Sequence, residues 1–151
     1  MPLHSDLREF IESLNSAGVE YVIVGGVAVA WHGYPRFTGD IDFFVRPSAN
    51  NADAVLAALR AFGFGSLDIT REDLTKPNQV VQLGTPPNRI DLITSIAGVE
   101  FEVAWTHRVS GEIDGIAVNL IGREELIRNK ESTGRPRDLG DAYELRKRNP
   151  A

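Results

Sequence analysis

The chain has 151 residues, 42% of them hydrophobic and 25% charged, with a formal net charge of −5 and no cysteine. This length is enough for one domain spanning 1–151 with its own core, and the composition is that of an ordinary soluble protein. Disulfides, thiolate metal sites and a cysteine nucleophile are excluded, and with no leader-like start or apolar run near the roughly 18 residues of a membrane span, a cytoplasmic protein without a membrane partner is expected.

In chain order, Ser5 to Ala17 carries Leu7, Phe10, Ile11 and Leu14 at helical spacing and stops at Gly18. Tyr21–Val24 is a short β-prone run, expected to be a buried strand. Gly25-Gly26 opens a second helix through about Gly33, which Tyr34-Pro35 ends. Ile41–Val45 is the next strand, and a helix capped at Asn50 or Asn51 follows to Phe62. Gln79–Leu83 and Arg89–Thr94 read as strands joined by a hairpin connection at 84–88. Residues 97–108 hold a short helix around Phe101–Thr106, and Ile116–Ile121 reads as the last strand. A helix then follows Gly122 to about Glu131, and a closing helix runs from Arg137 to Arg148. The expected fold class is α/β (α+β): a short mixed sheet flanked by helices, with a core at about 18–121 and a helical C-terminal part at about 122–149.

The most informative pattern is Asp40-Ile41-Asp42, fifteen residues after Gly25. Strand side chains alternate faces, so the two carboxylates point the same way while Ile41 and Phe43 point the other. Paired carboxylates repel unless a cation lies between them, and hard oxygen ligands suit Mg²⁺, which completes its shell with water and phosphate. Gly25-Gly26 lets backbone N–H groups approach a ligand closely at the start of a helix, as phosphate binding requires. Asp91, within the apolar run Arg89–Ile93, is a third carboxylate that is costly to bury unless paired or metal-bound. Three carboxylates beside a glycine turn suggest a two-metal site.

The segments Gly25-Gly26-Val27-Ala28 and His32-Gly33-Tyr34-Pro35-Arg36-Phe37-Thr38-Gly39-Asp40-Ile41-Asp42 resemble the nucleotidyltransferase superfamily, which has the DNA polymerase β-like fold. Within it the chain is most similar to small abortive-infection toxin-type members and single-domain relatives, a likeness extended by Lys130 and Arg137-Asp138-Leu139-Gly140-Asp141. The resemblance implies transfer of a nucleoside monophosphate from an NTP to a hydroxyl acceptor. It implies Asp40, Asp42 and Asp91 as catalytic metal ligands for two Mg²⁺ ions, with Mn²⁺ as a substitute. It also implies nucleotide contacts from Gly25, Gly26, Arg36, Thr38 and Lys130. The acceptor could be tRNA or other RNA, a protein or a small molecule, and a toxin would imply an antitoxin partner. Many superfamily members carry Gly-Ser where this chain has Gly-Gly, leaving backbone donors alone.

Two other functions stay open: a non-catalytic nucleotide- or partner-binding module on the same fold, and an aminoglycoside-type transferase whose acidic surface attracts a cationic substrate. Charge is uneven. Residues 1–120 hold 8 Lys and Arg against 15 Asp and Glu, and residues 121–151 hold 8 against 6. The basic tail offers a local anion-binding face or a solvated helix surface. His32 is expected to pack or cap locally, Asp138 to serve as a first-turn helix charge, and Asp141 to lie at the surface.

Overall fold

The computed structural model describes residues 5–35, 39–65, 67–84 and 89–148. Among the described residues, six α-helices and six strands follow in the order α1 Ser5–Ser16, β1 Tyr21–Val24, α2 Gly25–Trp31, β2 Asp40–Val45, α3 Ala49–Phe62, β3 Val80–Leu83, β4 Arg89–Ile93, α4 Phe101–Thr106, β5 Val109–Ile113, β6 Ile116–Leu120, α5 Arg123–Thr133 and α6 Pro136–Lys147, with a short 3-10 turn at Glu72–Leu74. The strands form one mixed sheet in the order β3-β4-β2-β1-β6-β5. β2 runs parallel to β4 and β1 parallel to β6, while β1–β2, β3–β4 and β5–β6 are antiparallel.

Local chemistry sets the boundaries. α3 begins where Ser48 accepts a hydrogen bond from the Asn51 amide at 3.3 Å, and ends at Gly63 with φ +108. Gly134, with φ +70, ends α5, and Pro136 starts α6 where its missing N–H leaves no bond unmade. α2 stops at Trp31, short of the expected Gly33, because Gly33 has φ +114 and turns the chain out of the helix. The strand β5 is absent from the sequence reading. Asp114 and Gly115, with φ +53 and +79, form a two-residue connection that folds β5 back on β6.

The central strands β1 and β2 carry apolar side chains on both faces, because helices cover the sheet on each side. On one face Phe43 packs edge-on against Phe10 of α1 and Tyr21 of β1, with ring centroids 5.7 and 5.4 Å apart. On the other, Phe44 meets Phe101 of α4 at 5.0 Å. Asn51 joins the strand ends to α3: its amide donates to the carbonyls of Glu20 and Arg46, each at 3.0 Å, and its oxygen accepts from the Glu20 amide at 2.8 Å. Every polar atom of that buried side chain is therefore satisfied. Truncating Phe43, which is fully buried, is expected to cost about 3–5 kcal/mol. Denaturant unfolding of Phe43→Ala checks this through a lower midpoint at unchanged slope.

Candidate active site

Backbone register brings the three predicted aspartates together. Asp42 on β2 lies directly opposite Asp91 on β4, and Asp40 opposite Arg89. Neighbours in a sheet share a face at the same register position, so the three carboxylates converge, with one oxygen from each within 4.8 Å of the others. Asp91 is buried, while Asp40 and Asp42 are half-buried.

The glycine turn touches this cluster. Val24, the last residue of β1, pairs with Asp42 across the antiparallel ladder, so the following Gly25 abuts the Asp42 side chain. Gly25 has φ +71, and a Cβ there would fall 2.2 Å from the Asp42 carboxylate oxygen. Only glycine satisfies both the left-handed backbone and this close approach. Gly26 lies in the first turn of α2.

Electrostatics mark the cluster as short of positive charge. Burial raises the Asp42 pKa to about 7, reinforced by the negative charges of Asp40 and Asp91 and by a hydrogen bond to Asp91, and opposed by Arg89. Arg89 was not foreseen from the sequence, although it precedes Asp91 by two residues and must share its face of the strand. Its Nη2 donates to Asp40 Oδ2 at 2.5 Å and to Asp91 Oδ2 at 3.2 Å. Its Nε also lies 3.2 Å from Asp91 Oδ1, but poorly aligned, so neither atom gains a hydrogen bond. A buried carboxylate oxygen without a hydrogen bond, beside two further hard oxygen donors, fits a divalent cation.

Lys130 sits elsewhere in the pattern. It is 8% exposed, and its Nζ lies 3.1 Å from Asp138 and 3.3 Å from Asp141. Asp138 also accepts from Thr133 at 2.7 Å and Arg135 Nε at 2.8 Å. Burial would raise the Asp138 pKa, yet the bonds from Thr133, Lys130 and Arg135 bring it below the ordinary value. This network fastens α6 to α5. It corrects the surface placement of Asp141, which is 3% exposed. His32 does not cap locally: its Nε2 lies 2.8 Å from the carbonyl of Ile121, just past β6. Arg36 and Thr38 lie outside the described residues.

A mixed sheet with three converging carboxylates next to a strand–glycine–helix turn defines a protein of the nucleotidyltransferase superfamily. The model of the family described as nucleotidyl transferase of unknown function (DUF2204) matches residues 3–149, and the chain belongs to that family. A crystal structure from Thermotoga maritima, described as a "putative nucleotidyltransferase (TM1012)", is similar over 93% of this chain and 88% of that one. With a TM-score of 0.57 and 16% identity, that likeness concerns the fold alone. No curated protein matches the chain.

Two outcomes follow for the free protein. The folded-state pKa of Asp42 lies above its unfolded value, so the folded form holds the extra proton and stability falls as pH rises from about 4 through 7. In EDTA, Asp42→Asn is expected to flatten that decline and to raise the melting temperature at pH 8 by about 2–8 °C. Thermal melts across pH 5–8 check it, and a parallel decline in the variant would contradict the assignment. Lys130→Met, which removes the cation that two buried carboxylates share, is expected to lose about 3–5 kcal/mol, measured by denaturant unfolding.

Proposed function

We propose that this protein transfers a nucleoside monophosphate from an NTP to an acceptor hydroxyl, using Asp40, Asp42 and Asp91 to hold Mg²⁺, for which Mn²⁺ can substitute. The observation carrying this reading is the convergence of three carboxylate oxygens within 4.8 Å beside the Gly25 turn. When bound, two such ions neutralise and polarise the reacting phosphoryl oxygens. The chain's own residues do the rest. Asp91, at the buried end of the cluster, takes the proton of the attacking hydroxyl. The new ester bond forms at the α-phosphorus as the bond to pyrophosphate breaks. Backbone N–H groups at Gly25 and Gly26 receive the leaving phosphates, and Arg36 and Thr38 complete the contacts by their position in the sequence. Lys130, already paired with two carboxylates, enters this reading as a lock between α5 and α6 rather than as a charge on the triphosphate.

A second reading, a nucleotide-binding module without transfer, is favoured by Arg89, whose guanidinium bridges Asp40 and Asp91. Incubation of the protein with each labelled NTP, Mg²⁺ and acceptors of three kinds (total RNA, protein, aminoglycoside) separates the two. Label is expected in one acceptor, and Asp91→Asn should lower its yield by about a hundredfold or more, in line with loss of one charge-stabilising group. NTP binding without label in any acceptor would favour the second reading. Wild-type turnover in Asp91→Asn would remove the assigned proton acceptor.

A further inference from the structure

We propose that the cavity at the carboxyl ends of β2 and β4 binds a small organic cation, an ammonium group carried on a compact apolar body. None of the three triad aspartates lines this cavity, and the inference does not rest on the proposed transfer.

Connectivity opens it. β2 and β4 are adjacent and parallel, yet the chain leaves them in opposite directions. After β2 it enters α3, which joins α1 on the Phe43 face, with Phe62 5.5 Å from Phe10. After β4 it crosses to α4, whose Phe101 meets Phe44 on the other face. Diverging exits leave a crevice beyond the strand ends, a favoured ligand position in open α/β sheets. The crevice encloses about 450 Å³, within the range of about 300–1,000 Å³ typical of small-molecule sites. The segment carrying Thr75 and Pro77 forms one wall and is fastened to the end of β4. Ser95 Oγ accepts from the Asn78 amide at 3.0 Å, and Thr94 Oγ1 donates to the Lys76 carbonyl at 2.7 Å.

Its interior is apolar and its charge is negative. Phe44 and Val99 line it and are buried, while Ile96 is half-buried. The charged side chains on its wall are Arg46, Glu100 and Glu102. Arg46 is already engaged: Nε donates to Glu20 at 2.9 Å and Nη1 to Glu102 at 2.5 Å, with the guanidinium 4.8 Å above the Phe101 ring. Two carboxylates saturate that one cation. Glu100 adds a third. It stands at the start of α4, makes no capping bond and has no partner among the described residues.

One carboxylate in excess decides the sign of the ligand. An anion, a nucleotide included, is repelled here, because Arg46 has no charge left to offer. An ammonium has three N–H donors, which Glu100 and the hydroxyl oxygens of Thr75 and Ser95 can accept. Its hydrocarbon body then covers Phe44, Ile96 and Val99. The cavity volume favours a whole small molecule over a single side chain reaching in from a partner protein.

Three probes that share a phenyl ring and differ in charge test this: phenethylamine, phenylethanol and phenylacetate. Each is titrated into the isotope-labelled full chain at neutral pH, and amide shifts are followed by NMR. Saturable shifts at Ile96, Val99 and Glu100 are expected for the amine. Its affinity should exceed that of the alcohol about fivefold, the scale of one ion pair at a partly exposed site, and phenylacetate should not saturate. Glu100→Gln changes an exposed side chain without a partner, so the fold is kept, and it should bring amine and alcohol to equal affinity. Thr75→Trp should fill the cavity and remove amine binding; if that variant melts early, Glu100→Gln still decides. Phenylacetate binding as tightly as the amine, amine shifts that fail to saturate or fall outside the cavity, or an amine preference that survives Glu100→Gln would overturn the site. A capped lysine tripeptide that binds where the amine does not would give the cavity to a partner's side chain, and would overturn it too. No arm reads turnover, so failure here and failure of the proposed transfer are told apart.

Discussion

The constraint on which this structure turns is a like-charge opposition built into backbone pairing. Parallel register between β2 and β4 sets Asp42 against Asp91, and two residues back it sets Asp40 against Arg89. A slip of one residue would send the carboxylates to the other face, where Phe43 meets Phe10 and Tyr21. The apolar residues that alternate with the aspartates thus hold the acids in place. Burial of Ile41, Phe43, Ile90 and Leu92 stabilises the register that the charges oppose. A site that strains against itself can persist only inside a core that specifies it firmly.

The same economy joins the turn to the acids. β1 ends where Asp42 begins to need room, and Gly25 provides it by lacking a Cβ and by adopting a backbone angle that other residues resist. The helix opened there is only seven residues long and leads through the His32–Tyr34 turn toward β2. That turn is fastened twice, by His32 to the end of β6 and by Arg148 from the end of α6. α6 is in turn locked to α5 through Lys130, Asp138 and Asp141. The C-terminal helices are therefore mechanically continuous with the turn that follows α2.

Much of this was legible in the sequence because it is periodic or punctuated. Alternation placed Asp40 and Asp42 on one face, and Gly25-Gly26 marked the passage from strand to helix. The triad needed one more step, the parity of Asp91 within Arg89–Ile93. β5 escaped because Val109-Ser-Gly-Glu-Ile is short, with a glycine at its centre and polar residues on either side of it. The signal that could have found it was Asp114-Gly115, a hairpin dipeptide between two β-prone runs. Arg89 belongs to no motif, and only its place two residues before Asp91 puts it on the same strand face. The burial of Asp141 could not be seen at all: it depends on a lysine eleven residues away, and only the packing of α5 on α6 brings the two together.

Arg89 changes what occupation of the triad means. Its guanidinium sits among the carboxylates as a resident counter-ion, with Nη2 bridging Asp40 and Asp91. A divalent ion held by these carboxylates would compete with a cation tethered to the same strand. Binding would then be an exchange, its net strength set by the ion's attraction less that of the arginine. The tether would keep the displaced charge nearby, on the rim of the cluster.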